Sequence, residues 1–400
     1  MPLIRIAAVL LAAVTTCWSA SGFVPFQSAV SPRAETRLAL AESSRRDFVT
    51  TVGVAAGAGM WLPYSSPAQA TSPLSIQLPP MGLGAWAWGD SVFWKYDPKE
   101  DDELRRVFDY AISHSPSPVL FDTAELYGFG RSEKLLGEFS KRVPEQVQIA
   151  SKFAAVPWRT KAKDVVSACQ ASVDRLQGRP IDLYQIHFPN AWSNADYWEG
   201  LAECYGKGLV KAVGVSNYGS DAVRACHGAL ASRGIPLASN QIQCSLLYRW
   251  PLENGLLETC KELGVQVLSY SPLALGFLTG KYNENNLPKG PRQGILKELL
   301  STPDYENLLN TMQQVADKHN GATLSQVAIN WTRTKGTIPI PGARTVNQVT
   351  QNLGALKWNL SKEEEIMLDE AAAKVTTFLT PDKNPFPKED INTGLKLYDS

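Results

Sequence analysis

A carboxylate, a phenol, an amine and an imidazole follow one another in this chain as Asp122, Tyr127, Lys152 and His187. Together they describe a proton-transfer set. A free tyrosine, with a pKa of about 10, is a poor proton donor or acceptor at neutral pH. An ammonium beside it favours the phenolate and is expected to lower that value. Lys152 is placed to act so, and Asp122 is its natural counter-ion. His187 is then free to hydrogen-bond a carbonyl oxygen and orient it. Tyr127 becomes a general acid in reduction and a general base in oxidation. Taken singly, each has a plainer explanation: a turn-capping Asp, a solvated lysine, a core histidine, a tyrosine packed under a loop.

The elements around them make the set more than coincidence. From about residue 78, short apolar runs alternate with amphipathic helical patterns. The strand candidates are MGLGAWAW, PVLFDTA, VQIASKF, IDLYQIHF, VKAVGVSNY, ASNQIQCSLL, VQVLSYSPL and TIPIPGA. Between them lie patterns such as DDELRRVFDYAIS, with Leu104, Val107, Phe108 and Ile112 on one face, and KAKDVVSACQASVDRLQ. The longest gap, between SYSPL and TIPIPGA, holds a loop near residues 281–292 and two further helix patterns. Alternation of this kind means parallel βαβ units. Eight of them predict an α/β fold, a single-domain (β/α)₈ TIM barrel, whose active site lies at the C-terminal strand ends. Asp122 ends the second strand with Tyr127 in its loop, Lys152 ends the third and His187 the fourth. An open dinucleotide-binding sheet should carry G-x-G-x-x-G after its first strand, and neither GLGAWAWG nor GFGRSEKLLG has that spacing.

Composition agrees with a globular body. The 400 residues are 44% apolar and 20% charged, with a formal net charge of zero. There is no basic surface run of the kind nucleic-acid binding requires. The six cysteines (Cys17, Cys169, Cys204, Cys226, Cys244 and Cys260) show no C-x-x-C pairing. They read as buried thiols, and no metal site is expected.

With the motifs FDTAELYG, ASKF, DLYQIH, GVSN, YSPL and IPGAR in this order, the chain resembles the aldo-keto reductase superfamily over about residues 78–360. Asp122, Tyr127, Lys152 and His187 match that family's catalytic tetrad. The resemblance implies NADPH as cofactor, held without a Rossmann domain. It places Ser216, Asn217 and Gln241 on the nicotinamide carboxamide and stacks Tyr270 on the ring. It puts Gly84, Ala85 and Trp86 near the nicotinamide ribose. Ser271, Leu273 and Ala274 would line the pyrophosphate path, with Lys281 beyond. Arg344, Gln348 and Asn352 would hold the adenosine end, with Arg344 a candidate for the 2′-phosphate. Many members have Lys-Ser where this chain has Gly342-Ala343, and an Arg where it has Gln348. At Gln348 the chain is more similar to the branch that includes the potassium-channel β subunits. Besides a carbonyl reductase, a cofactor-loaded sensor docking on a partner is therefore the alternative reading.

MGLGAWAWGDSVFWKYD resembles the opening of plastid aldo-keto reductases of plants, including pyridoxal reductases. Trp88, Phe93, Trp94, Trp158, Trp192 and Trp198 are expected in or near loops at the barrel mouth. There they would form an aromatic cleft suited to a small planar aldehyde.

Ahead of the barrel lie three targeting signals. Residues 1–22 carry Arg5 before an apolar run, as a signal peptide does. Residues 23–44 begin at Phe23 after Ser19-Ala20-Ser21-Gly22, and the pair resembles the two-part plastid leaders of diatoms and related algae. Residues 45–70 hold Arg45-Arg46, a soft apolar run and Ala68-Gln69-Ala70, and resemble a twin-arginine export signal. This order predicts a plastid protein of the thylakoid lumen, with the stroma as alternative. The barrel and its C-terminal tail are assigned residues 71–400, with no stable membrane insertion. That part carries 34 basic and 36 acidic residues.

Overall fold

Eight parallel strands in sequential order form the core of the computed structural model, which describes residues 76–115, 118–290, 292–375 and 388–399. They are β1 (Gly82–Gly84), β2 (Val119–Asp122), β3 (Val147–Phe153), β4 (Leu183–Ile186), β5 (Val213–Ser216), β6 (Leu237–Gln243), β7 (Gln266–Tyr270) and β8 (Ile338–Ile340). Each predicted strand run overlaps its strand, and all contain it except the run for β6, whose strand begins one residue earlier at Leu237. Just beyond β8, Gly84 N donates to Pro341 O at 3.0 Å, and Gly84 bridges Gly342 in parallel, drawing the sheet into a barrel. The three proposed leader segments lie outside the described residues.

Side chains on a strand alternate between faces, and that period places the chemistry. Leu120, Ala150, Leu183, Ala212, Ala238, Leu268 and Ile340 pack together as one apolar layer inside the barrel. Two residues further along their strands come Asp122, Lys152 and Gln185, and His187 follows Gln185 at the same interval. Phe121, Phe153, Tyr184 and Ile186, each next to one of these inward residues, belong instead to the larger cluster between sheet and helices. Ile76 and Leu78 extend the inner layer from below, where Gln148 and Gln266 donate to the carbonyls of Gln77 and Ile76, each at 3.1 Å.

Helices Asp101–His114, Arg131–Ser140, Ala162–Arg175, Asn194–Gly206 and Ser220–Ala231 alternate with the first six strands, and Leu256–Glu262 follows β6. In Asp101–His114 the buried face is Leu104, Val107, Phe108 and Ala111. Among the described residues the gap between β7 and β8 contains three α-helices where two helix patterns were expected: Arg292–Leu300, Pro303–Asp317 and Leu324–Thr334. Pro303, at the first turn of its helix, separates it from the one before. Beyond β8 lie Val346–Gly354 and Lys362–Lys374. Cys169, Cys204, Cys226, Cys244 and Cys260 are buried free thiols, as their scattered spacing led us to expect. Among the described residues no helix is long and apolar enough to cross a membrane.

Residues 388–399 return to the barrel rim. Gly219 N donates to Leu397 O at 2.8 Å, and the Asp399 carboxylate accepts Ser220 N–H at 2.9 Å, at the start of helix Ser220–Ala231. Nothing in the local sequence of the tail announces this docking.

Candidate active site

The four proton-sharing residues meet at the C-terminal mouth of the barrel. Lys152 Nζ lies 2.6 Å from Asp122 Oδ1, 2.8 Å from Thr123 O and 3.2 Å from Tyr127 OH. An ammonium only donates, so the phenol oxygen accepts from Lys152 and its own hydrogen is left to point elsewhere. The Tyr127 and His187 rings meet edge-on with centroids 5.8 Å apart. Lys152 is fully buried and Asp122 nearly so. Such a pair persists only because each charge is matched and further bonded.

The electrostatics correct one expectation. The Tyr127 phenol is pushed well above its ordinary value, by burial first and then by the Asp122 and Asp90 carboxylates. The lowering anticipated from Lys152 does not prevail. Burial likewise pulls Lys152 down and lifts Asp122, against the mutual attraction of the pair. His187 is held well below its usual range by burial and by the Lys152 charge, so it is neutral. Its Nδ1 is buried without a hydrogen-bond partner. A bare lone pair costs less there than an orphaned N–H, so the proton belongs on Nε2.

Behind the set runs a chain of hydrogen bonds through the β5–β7 ends. Tyr270 OH donates to Asn217 Oδ1 at 2.9 Å, and Asn217 Nδ2 donates to His187 O at 3.0 Å. Ser216 Oγ donates to Gln241 O at 2.8 Å. Gln241 Nε2 donates to Asp122 Oδ2 at 2.7 Å, so both Asp122 oxygens are engaged. Residue types alone did not reveal this link between Gln241 and Asp122, because it crosses the barrel between β6 and β2.

The site opens into a cleft of about 900 Å³. Gly84, Trp86, Ser216, Asn217, Gln241 and Tyr270 line it near the tetrad; Ser271, Leu273, Lys281, Arg344, Gln348 and Asn352 line it towards β7 and β8. Ala85 and Ala274 do not. Both are buried behind the wall, Ala85 with its N–H on Asp122 O at 2.8 Å. Arg344 is not a free cation. Its Nε and Nη2 donate to Glu100 at 3.1 and 2.6 Å, and its Nη1 to Trp94 O at 2.9 Å. Gln348 Oε1 accepts from Arg344 N at 2.7 Å, and Asn352 Nδ2 donates to Gly342 O at 3.3 Å.

The aromatic lining also differs from expectation. Phe93 and Trp94 reach the cleft, stacked and edge-on respectively against Trp86. Trp88 is buried, with Nε1 on Ala343 O at 2.8 Å, and Trp198 is buried against Tyr218. Trp158 and Trp192 are exposed outside the cleft. Their places come instead from Phe129, Phe188, Tyr248, Trp250, Tyr282 and Tyr398. Arg292, whose guanidinium sits 4.9 Å from the Trp94 ring centroid, is a further cleft cation that the loop sequence did not single out.

The aldo/keto reductase family profile matches residues 80–373. The chain belongs to the aldo/keto reductase family. As a member it is an NADP-dependent oxidoreductase. It is 45% identical over 318 residues to the chloroplastic pyridoxal reductase of Arabidopsis thaliana, an alignment covering 75% of this chain and 84% of that protein. Among solved structures it is similar to a thermostable aldo-keto reductase in complex with the inhibitor epalrestat: TM-score 0.60, 29% identity, 74% of this chain and 95% of that one. An aldo-keto reductase from Klebsiella pneumoniae in complex with NADPH shares the fold at 23% identity, with a TM-score of 0.59 over 80% of this chain and 95% of that one.

Proposed function

We propose that this aldo/keto reductase reduces a small planar aldehyde of the pyridoxal kind to its alcohol at the expense of NADPH. The observation that carries the reading is the contact of the buried Lys152 to Tyr127, which turns the phenol's hydrogen away from the ammonium, with Tyr127 lining an aromatic-walled cleft. The 45% identity to a pyridoxal reductase supports the substrate class.

The side chains present fit NADPH. Gln241 spends Nε2 on Asp122, which leaves its Oε1 to accept from a carboxamide NH₂. Ser216 and Asn217 stand beside it, and Tyr270 offers an aromatic face. Lys281 and Arg292 bring positive charge to the β7–β8 side, where phosphates would lie, beside Arg344 in its pair with Glu100. A dihydronicotinamide held by these residues would supply the hydride for the carbonyl carbon. Tyr127 gives its proton to the carbonyl oxygen. Lys152 stabilises the phenolate left behind, and Asp122, steadied by Gln241, holds Lys152 in place. His187, neutral, donates from Nε2 to the same oxygen and fixes its direction.

The targeting signals and the chloroplastic relative support a plastid location, and the order of the three leader segments favours the thylakoid lumen over the stroma. The decisive assay is NADPH oxidation by the purified protein over an aldehyde panel that includes pyridoxal, with pyridoxine identified as product. No turnover of any aldehyde would end the proposal.

A further inference from the structure

Between Tyr127 and helix Arg131–Ser140 the backbone makes three successive left-handed residues: Gly128 at φ 56°, Phe129 at φ 54° and Gly130 at φ 86°. Glycine adopts this conformation freely, but a bulky aromatic residue rarely does. The Phe129 side chain gains little burial in return. It is 66% exposed, and among the described residues it meets no other ring. Its ring nevertheless lines the cleft, two residues from the phenol that the proposed reaction uses.

The turn is gripped from both sides. A Cβ on Gly128 would fall 2.4 Å from the Gly89 carbonyl oxygen, and one on Gly130 would fall 2.6 Å from Arg175 Cδ. Arg175 is itself fixed, with Nε on the buried Glu133 carboxylate at 2.5 Å and Nη2 on Ser172 Oγ at 3.0 Å. Both glycines are therefore required by close approach as well as by φ. The result is a stiff arch that holds an apolar ring out at the rim of the cleft. Strained backbone and an exposed aromatic side chain are each unfavourable for folding, and their coincidence at a site mouth points to use by a ligand.

We propose that Phe129 is a specificity-determining residue, a pre-set aromatic platform on which the ring of an aryl aldehyde stacks while its carbonyl reaches Tyr127. The inference rests on the aldehyde-reductase reading and adds to it a preference for planar aryl over alkyl aldehydes. Rigidity matters because a ring already held in place loses little freedom when the substrate arrives. Offset stacking of two rings then discriminates against a chain of the same size.

The test compares kcat/KM for pyridine-4-carboxaldehyde and butanal in the full chain and its variants. Phe129→Ala and Phe129→Leu should each lower kcat/KM for the aryl aldehyde about tenfold, mainly through KM, and shift butanal by less than about twofold. Phe129→Tyr, which keeps the ring face, should restore the wild-type ratio. The NADPH dissociation constant by fluorescence and the unfolding midpoint should be unchanged in all three. Equal losses for both aldehydes, or an unchanged ratio in the Ala and Leu variants, would overturn the platform and leave the reductase reading standing. A wild-type enzyme that reduces neither aldehyde would instead overturn the reading on which it rests.

Discussion

At the scale of single residues, Tyr127 departs most from what its type and spacing implied. Burial outweighs the ammonium, so the free enzyme keeps the phenol protonated. For reduction that is the productive form. An acid whose pKa lies above the working pH stays loaded, and the rate falls only as pH climbs towards that pKa. His187, held neutral from well below its usual value, adds no limb near its ordinary 6.5. We expect kcat/KM for reduction to be flat from about pH 6 to about pH 10; a half-drop centred near neutrality would contradict it. Tyr127→Phe should lose turnover by about 10²–10⁴-fold with NADPH binding, followed by fluorescence, nearly intact. Single-turnover transfer at the wild-type rate would remove Tyr127 from the mechanism. Lys152→Met takes away the ammonium 3.2 Å from the phenol oxygen. The phenolate becomes costlier, so the pH profile of alcohol oxidation should move upward; an unmoved profile with high activity would make Lys152 a strand-end lysine only.

At the scale of elements, the strands position the site through their period of two. Leu183, inside the barrel two residues before Gln185 and four before His187, belongs to the layer on which the tetrad stands. Leu183→Ala should cost about 2–5 kcal/mol of stability, read from denaturant unfolding. The loop after β1 and the end of β8 are joined by Arg344, whose guanidinium serves Glu100 and the Trp94 carbonyl. That pairing was invisible beforehand, since the two residues are 244 apart in sequence. If Arg344 also receives the 2′-phosphate, Arg344→Ala should weaken NADPH binding by about tenfold or more and NADH binding much less. Glu100→Gln, which releases the guanidinium from its carboxylate, should tighten NADPH. Equal loss for both cofactors in Arg344→Ala would leave Arg344 as a loop clamp alone.

At the scale of the whole molecule, the leader and the barrel pose separate questions. Fluorescent fusions and N-terminal sequencing of the native protein test the proposed route. Lumenal delivery predicts a mature N-terminus near Thr71 and loss of import into the lumen on Arg45-Arg46→Lys-Lys. A mature N-terminus near Phe23 or Ser43, in the stromal fraction, would end that route without touching the reductase reading. The barrel itself was legible in the sequence because its determinants are local. Strand runs such as PVLFDTA and VQIASKF, spaced by helices with one apolar face, dictate eight parallel units, and a parallel sheet of that kind puts its strand ends, hence Asp122, Lys152 and His187, at one mouth. Tertiary structure alone decided what those residues experience. The depth of burial set the direction of the Tyr127 shift, the crossing of β6 over to β2 gave Gln241 to Asp122, and the meeting of distant loops gave Arg344 to Glu100. It also turned Trp88 and Trp198 into the core and left Phe129 facing the cleft. Desolvation and contacts between distant segments depend on how the chain closes on itself, and no short stretch of residues encodes them.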